Sequence, residues 1–138
     1  MKIIAYDLGT GGVKASLYDE QFNTVAKSFI PYNTYYPKSY MHEQCPEDWW
    51  QGVIESTKLL LQKADIEPNQ VGCLSLSGHS LVAVPIGKDG SLLLDRVPIW
   101  SDTRATREAE EFFESIDETK WYMTTGNGFP APCYSIFK

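Results

Sequence analysis

The sequence predicts an α/β fold built on a mixed sheet, with an antiparallel meander at its amino end and helices flanking the sheet. Three strand-like segments, residues 2–7, 13–18 and 22–31, follow one another through short turns, which is typical of an antiparallel meander. A helical segment then leads to a further apolar strand at residues 71–76. A helix that crosses from one strand to another favours a parallel pair, so the sheet should contain both strand directions.

The composition fits one domain of ordinary size and argues against several classes of function. The chain has 138 residues, of which 43% are hydrophobic, and a net charge of −6, which argues against a nucleic-acid partner. No apolar run is long enough to span a membrane, and Asp7 and Lys14 interrupt the region where a signal peptide needs its apolar stretch. We therefore expect a cytoplasmic protein without a membrane partner. Its three widely spaced cysteines are expected to be reduced thiols.

The first half of the chain offers clear boundaries. Val13, Ala15 and Leu17 alternate with polar residues, which predicts a half-buried strand. Residues 32–45 are aromatic, polar and irregular, and we interpret them as a loop. Pro46 then opens a helix that should run to about Ala64, because proline suits the first helical turn and two acidic residues follow it.

The second half predicts a hairpin and two helices. Leu81–Ile86 and Leu92–Ile99 are strand-like and flank G-K-D-G, a strong turn signal. Residues 103–117 form a charged amphipathic pattern that predicts a helix, with Asp102 placed to cap it. A short helix around 118–124 should precede a loop at 125–132, and Y-S-I-F-K at the end reads as the start of a new element.

The stretch D-L-G-T-G-G-V-K at residues 7–14 contains more glycine than a plain hairpin needs. Closely spaced glycines permit positive φ and let backbone amides approach an oxyanion. A carboxylate at the strand end could hold Mg²⁺, and a lysine just beyond the turn could reach a phosphate. From the residues alone, a phosphate-binding hairpin and a plain hairpin both stay open. The candidate residues are Asp7 for the metal and Gly9, Thr10, Gly11, Gly12 and Lys14 for the phosphate.

This glycine hairpin resembles the first phosphate motif of the superfamily of actin, Hsp70 and the sugar kinases. Three further stretches are similar to motifs of the FGGY carbohydrate kinases: H-E-Q-C-P-E-D-W-W at 42–50, S-L-S-G-H-S at 75–80 and P-I-W-S-D-T-R-A at 98–105. The closing G-F-P-A-P-C-Y-S-I-F-K resembles the segment that precedes the lysine-containing motif of that family. The motifs occur in the family order across almost the whole chain.

The resemblance implies a ribonuclease-H-like fold of the actin-like ATPase superfamily, in which residues 1–138 are the first part of an N-terminal sugar-binding domain. It implies a kinase that transfers the γ-phosphoryl group of ATP, with Mg²⁺, to a hydroxyl of a ketose or polyol. The general-base aspartate and the adenosine pocket are expected beyond Lys138, in the rest of this domain and in a second domain. We therefore expect the 138-residue piece alone to be inactive.

The sugar-contacting residues implied by the resemblance are His79, Ser80 and Asp102. His79 could instead close a loop, and Asp102 could instead cap the following helix or serve both roles. Arg104 is expected to pair with a carboxylate or the backbone. Xylulose kinases typically carry G-Q-M-H-G where this chain has Leu81 and Val82 after His79 and Ser80, which weakens a specific assignment to xylulose.

A second class of function remains open at this stage. A non-catalytic actin-like module could bind a nucleotide or a sugar and report it to a partner. In either case the expected partners are a small-molecule sugar and ATP, with no nucleic acid. A homodimer is one assembly that the full-length form could adopt.

Overall fold

The computed structural model of the chain describes residues 1–128 and 132–138, so the loop expected at 125–132 falls in part outside the described residues. Two compact units are present: Met1–Thr34 with Cys45–His79, and Tyr35–Gln44 with Ser80–Lys138. Within the described ranges, no helix has both the length and the apolar character needed to cross a membrane. In chain order the elements are β1 (Lys2–Gly9), β2 (Gly12–Tyr18), β3 (Thr24–Pro31), β4 (Tyr35–Lys38), β5 (Met41–Gln44), α1 (Pro46–Ala64), β6 (Val71–Ser77), β7 (Val97–Pro98), α2 (Thr106–Phe113) and α3 (Glu118–Thr125).

The first unit is built on a four-stranded mixed sheet in the order β3-β2-β1-β6. β1 and β2 are antiparallel, as are β2 and β3, whereas β1 and β6 are parallel. The predicted meander and the predicted parallel pair are both confirmed. β1 therefore has neighbours on both sides, and β6 is an outer strand.

Helix α1 covers one face of this sheet and has the predicted boundaries. Pro46 occupies its first turn, and Asp65 ends it in the left-handed conformation, with its N–H bonded to the last turn. Its buried residues are Gly52, Ser56 and Leu60, which recur every fourth position along one face. The core beneath consists of apolar side chains of the sheet together with Leu60: Ile4, Tyr6, Val13, Ala15, Leu17 and Ala26.

An open apolar groove of about 580 Å³ lies beside this core. Trp50, Ile54 and Leu61 of α1 line it, together with Leu74 of β6. Leu74 and Leu76 of β6 are 65% and 66% exposed, so this strand carries an uncovered apolar surface.

The second unit contains a three-stranded sheet in the order β4-β5-β7. The interpretation of residues 32–45 as a loop is wrong, because β4 and β5 form an antiparallel hairpin there. The two predicted strands around G-K-D-G are also mostly wrong. A single bridge joins Ile86 to Leu92, and the only regular strand in these two segments is β7, which pairs with β5. Two prolines, Pro85 and Pro98, remove backbone donors there, which keeps the segments from extending a ladder.

The helix expected over residues 103–117 is shorter, since α2 spans only Thr106–Phe113. Ala105 is its N-cap, so Asp102 does not cap it. The predicted short helix is confirmed as α3, and Asp117 caps it by accepting from the Lys120 N–H at 2.7 Å. The expected element at the end is one 3₁₀ turn, Ser135–Phe137.

The glycine hairpin closes by pairing Gly9 with Gly12, so Thr10 and Gly11 form its exposed tip. Gly12 has φ +152°, and a Cβ there would lie 2.4 Å from the Ile30 carbonyl oxygen. The φ of Gly11 is not positive, and a Cβ at Gly11 would meet no atom within 4 Å. Of these two glycines, Gly12 is the one that the fold requires.

We expect Gly12→Ala to lower the free energy of unfolding by about 2 kcal/mol or more, because the added methyl forces strain and displaces β3. Gly11→Ala is the matched control and should change it by less than about 1 kcal/mol. Urea unfolding of the protein, followed by circular dichroism, measures both. Equal losses for the two variants would contradict this account of the turn.

Candidate functional site

The carboxyl ends of β1 and β6 lie side by side in the first unit. Asp7 of β1 is the register partner of Ser77 of β6, and the two strands run in the same direction. The glycine hairpin therefore follows β1 at the same edge where Gly78 and His79 follow β6. In open α/β sheets, the carboxyl edge of parallel strands is where ligands bind.

Asp7 and Lys14 face each other across the hairpin. They are register partners in the β1–β2 pair, and the Lys14 Nζ lies 3.6 Å from an Asp7 carboxylate oxygen. Both side chains are more than half exposed. An exposed pair of this kind is weakly held, so both charges stay accessible to a ligand.

Tyr32 holds the base of the hairpin. The residue directly follows β3, is half-buried, and its phenol donates a hydrogen bond to the Gly9 carbonyl. Burial raises the pKa of Tyr32 to about 12, and the charge of Asp7 adds to the effect, so the phenol keeps its proton at neutral pH. Sequence reasoning missed this residue, since its partner is a backbone carbonyl far away in the chain.

His79 lies at the same edge of the sheet. Its ring packs at 5.2 Å from that of Trp49, and its buried Nε2 has no hydrogen-bond partner among the residues that the structure describes. Burial lowers the pKa of His79, although the Asp7 charge and a hydrogen bond with the Gly9 backbone oppose the shift. The lowered pKa favours the neutral ring at pH 7, and the buried Nε2 keeps a hydrogen-bonding capacity that no described residue meets.

In the second unit, Asp102 is fully buried and heavily hydrogen-bonded. One carboxylate oxygen accepts from the His42 N–H at 2.7 Å and from the Arg104 Nη2 at 2.8 Å. The other accepts from the Arg104 N–H and Nε. Burial acts to raise the pKa of Asp102, but the Arg104 and His42 hydrogen bonds outweigh it and hold this pKa below its ordinary value. The carboxylate is charged and serves to anchor the turn to β5.

Arg104 pairs with carboxylates, as the sequence suggested. Besides Asp102, its Nη2 donates to a carboxylate oxygen of Glu43 at 2.6 Å. Hydrogen bonds to Asp102 raise the pKa of Arg104 further above its already high value, and those to Glu43 add to this, although burial opposes the shift. The guanidinium therefore links β5 to the W-S-D-T-R segment.

Lys138 connects the segment after Ser80 with the segment before Asp102. Its Nζ donates to the Leu81 carbonyl at 3.3 Å and to the Ile99 carbonyl at 2.6 Å. Ser80 is exposed, and Leu81 has a positive φ of 57°, an uncommon conformation for this residue type. Two of the predicted sugar-side segments are thus joined within the second unit, by a lysine whose role the sequence did not reveal.

The predicted residues therefore fall into two groups. In the first unit, the glycine hairpin, Asp7 and Lys14 lie at the edge of the sheet that also carries His79. In the second unit, Ser80 and Asp102 belong to segments that Lys138 joins.

We expect Asp102→Asn to lower the free energy of unfolding by about 1–3 kcal/mol at pH 7, because a charge-assisted bond to a partly buried arginine is lost. A lowered folded-state pKa contributes stability above the unfolded value, 3.8, and that contribution disappears as the pH falls through the folded value. The difference between wild type and variant should therefore shrink below pH 4. Urea unfolding at several pH values measures it.

Glu108→Gln is the control, since Glu108 pairs on the exposed face of α2 with the solvent-accessible Arg107. It should unfold as the wild type does. A pH-independent loss in Asp102→Asn would contradict the role given to the charge.

Comparison with known proteins assigns the family. Residues 2–138 match the N-terminal domain of the FGGY family of carbohydrate kinases. The chain is 28% identical over 134 residues to the xylulose kinase of Staphylococcus xylosus, covering 94% of this chain and 27% of that protein. It is 24% identical over 109 residues to the glycerol kinase of Thermococcus gammatolerans, covering 79% of this chain and 22% of that protein.

The crystal structure of gluconate kinase from Lactobacillus acidophilus matches with a TM-score of 0.86 and 26% identity, over 99% of this chain and 27% of that one. The chain thus spans about a quarter of the length of these relatives. The matched range extends over nearly every residue, and the fold agrees with that of a family member. The chain belongs to the FGGY family of carbohydrate kinases.

Proposed function

We propose that the protein containing this chain is an ATP-dependent carbohydrate kinase, which transfers the γ-phosphoryl group of ATP to a hydroxyl of a ketose or polyol. One observation carries the proposal: the glycine hairpin lies at the same edge of one sheet as His79, whose Nε2 has no partner within the described part of the chain. In a kinase, the phosphate-binding group and the sugar-binding group must lie close together, so that the phosphate can reach the hydroxyl that receives it. Family membership supports the reaction class.

The hairpin would bind the transferring phosphate. Gly9, Thr10, Gly11 and Gly12 would supply backbone amides and one hydroxyl, and Lys14 a positive charge. Phosphoryl transfer depends mainly on positioning and on neutralising charge that spreads over the phosphate oxygens. The exposed tip at Thr10 and Gly11 leaves room for this approach.

Asp7 would hold Mg²⁺. Its carboxylate is exposed at the end of β1, and Mg²⁺ in such sites takes one or two carboxylates together with phosphate oxygens and water. The donor set therefore fits the ion. The ion held by Asp7 would supply positive charge to neutralise phosphate oxygens, and Lys14, across the strand pair from Asp7, would compensate the remaining charge.

His79 and Ser80 would contact the sugar, each pairing with a hydroxyl that loses water on binding. A neutral imidazole can accept or donate in such a pair. Asp102 would be the third sugar-side residue and would act through its carboxylate, which orders the W-S-D-T-R segment; Lys138 joins the residue before that segment, Ile99, to Leu81. Removal of Asp102 should therefore weaken sugar binding through the shape of that segment.

The whole activity belongs to a longer protein. We propose that residues 1–138 form the first part of an N-terminal sugar-binding domain, and that the general-base aspartate lies beyond Lys138. The segment alone would then have no turnover. The proposed acceptor is a ketose, for example a pentulose such as xylulose, or a polyol; xylulose, glycerol and gluconate kinases are all among the similar proteins.

The direct test is an assay of the full-length protein with Mg²⁺·ATP and a panel of pentuloses, hexuloses, gluconate, glycerol and other polyols. ADP release coupled to a sugar phosphate, identified by mass spectrometry, is expected for at least one ketose or polyol. Binding of ATP or sugar by calorimetry without any product would overturn the kinase proposal and would instead fit a sensing module.

We expect Asp7→Asn to lower kcat at least about tenfold with little effect on sugar binding, because the substitution removes a metal-binding charge and leaves the sugar side intact. Steady-state kinetics at several Mg²⁺ concentrations and calorimetry with the sugar measure the two effects. Asp65→Asn is the control: it makes the same change at the end of α1, where Asn tolerates the left-handed conformation. Turnover near that of the wild type at saturating Mg²⁺ would remove Asp7 from the site.

A further inference from the structure

Tyr32 is placed by the register of the sheet beside the glycine hairpin. Gly12 pairs with Gly9 on one side and with Pro31, the last residue of β3, on the other. Tyr32 follows Pro31 directly, and its phenol reaches across to donate to the Gly9 carbonyl. The end of β3 is therefore bonded through a side chain to the end of β1.

This bond acts on the first peptide unit of the turn. The Gly9 carbonyl and the Thr10 N–H belong to one planar peptide, and none of the described peptide bonds is cis. In a trans unit the two groups point in opposite directions, so a group that fixes the carbonyl also fixes the amide. Because His79 also bonds to the Gly9 backbone, the orientation of the hairpin tip depends on Tyr32 together with His79.

We propose that Tyr32 is a positioning residue of the phosphate-binding hairpin, which its phenol holds in the orientation that receives the phosphates of ATP. The inference rests on the proposed function and adds to it a residue outside the glycine motif. Preorganised donors stabilise a phosphoryl group without reorganising during the reaction, so a peptide held in a fixed orientation lowers the barrier to transfer.

The alternative is that Tyr32 only packs. Its ring is half-buried against the core cluster, so ring packing contributes to stability. Packing and positioning can be tested separately, because within Tyr32 the ring packs and the hydroxyl makes the bond to Gly9. The pKa of about 12 keeps that hydroxyl protonated as a donor throughout the neutral range.

The chain offers a matched control in β1, the strand that ends at Gly9. The Tyr6 phenol bonds to the Thr57 hydroxyl at 2.7 Å, between β1 and α1. Tyr6→Phe therefore removes one tyrosine hydroxyl and one hydrogen bond without touching the hairpin. It reports what the loss of such a bond does to stability alone.

The experiment compares full-length wild type, Tyr32→Phe and Tyr6→Phe. Its readouts are ATP and sugar kinetics, calorimetric affinity for a non-hydrolysable ATP analogue with Mg²⁺, and melting temperature. We expect Tyr32→Phe to lower kcat/KM for ATP about tenfold, which corresponds to about 1.4 kcal/mol, and to weaken the analogue similarly. The KM for the sugar should stay within about twofold. Both substitutions should lower the melting temperature to a similar extent, because each removes one hydrogen bond. Tyr6→Phe should leave kcat/KM for ATP and the KM for the sugar unchanged.

Wild-type kinetics in Tyr32→Phe, or equal kinetic losses in the two variants, would overturn the positioning role while the kinase proposal stands. A wild-type protein that phosphorylates no member of the panel and does not bind the analogue would overturn the proposed function, and this inference with it.

Discussion

The pairing of β1 with a neighbour on each side is the constraint on which the first unit depends. Its antiparallel ladder with β2 sets Asp7 opposite Lys14, and its parallel ladder with β6 sets Asp7 beside Ser77. A slip of one residue would turn every side chain of β1 to the other face and expose Ile4 and Tyr6, which are buried. The hydrophobic core therefore holds the hairpin and His79 at one edge of the sheet.

The close packing of α1 reinforces that register. A Cβ at Gly52 would lie 2.8 Å from a methyl group of Val13, so the glycine lets the helix approach β2 closely. Ser56, which follows one turn later, is also buried, and the Ser28 hydroxyl of β3 bonds to its carbonyl. Packing at this density leaves β2 little freedom to move, and β2 begins at the glycine turn.

In the second unit, a charged cluster adds to buried apolar side chains such as Val97, Ile99 and Phe113. Asp102 is fully buried, and its hydrogen bonds with Arg104 and the His42 N–H join the W-S-D-T-R turn to β5. Such a cluster stabilises only when each partner is satisfied, so it selects one arrangement of the turn. This explains how short, irregular segments around β7 keep a defined shape.

Local patterns were sufficient to predict the meander, the parallel pair and both ends of α1, since alternation, Pro46 and the acidic first turn each act within a few residues. They failed where partners are distant. β4 and β5 depend on each other and on β7, whose residues lie more than 50 positions further along the chain. The sequence suggests that Asp102 is a helix cap, because it does not show that the His42 N–H donates a hydrogen bond to this carboxylate. Gly11 and Gly12 look equivalent in sequence, and the positive φ of Gly12 and its proximity to β3 distinguish them.

The position of β6 also affects how the segment behaves in solution. An outer strand with two exposed leucines has both an unpaired hydrogen-bonding edge and an exposed apolar surface. Copies of the isolated 138-residue chain would tend to associate through this strand as their concentration rises.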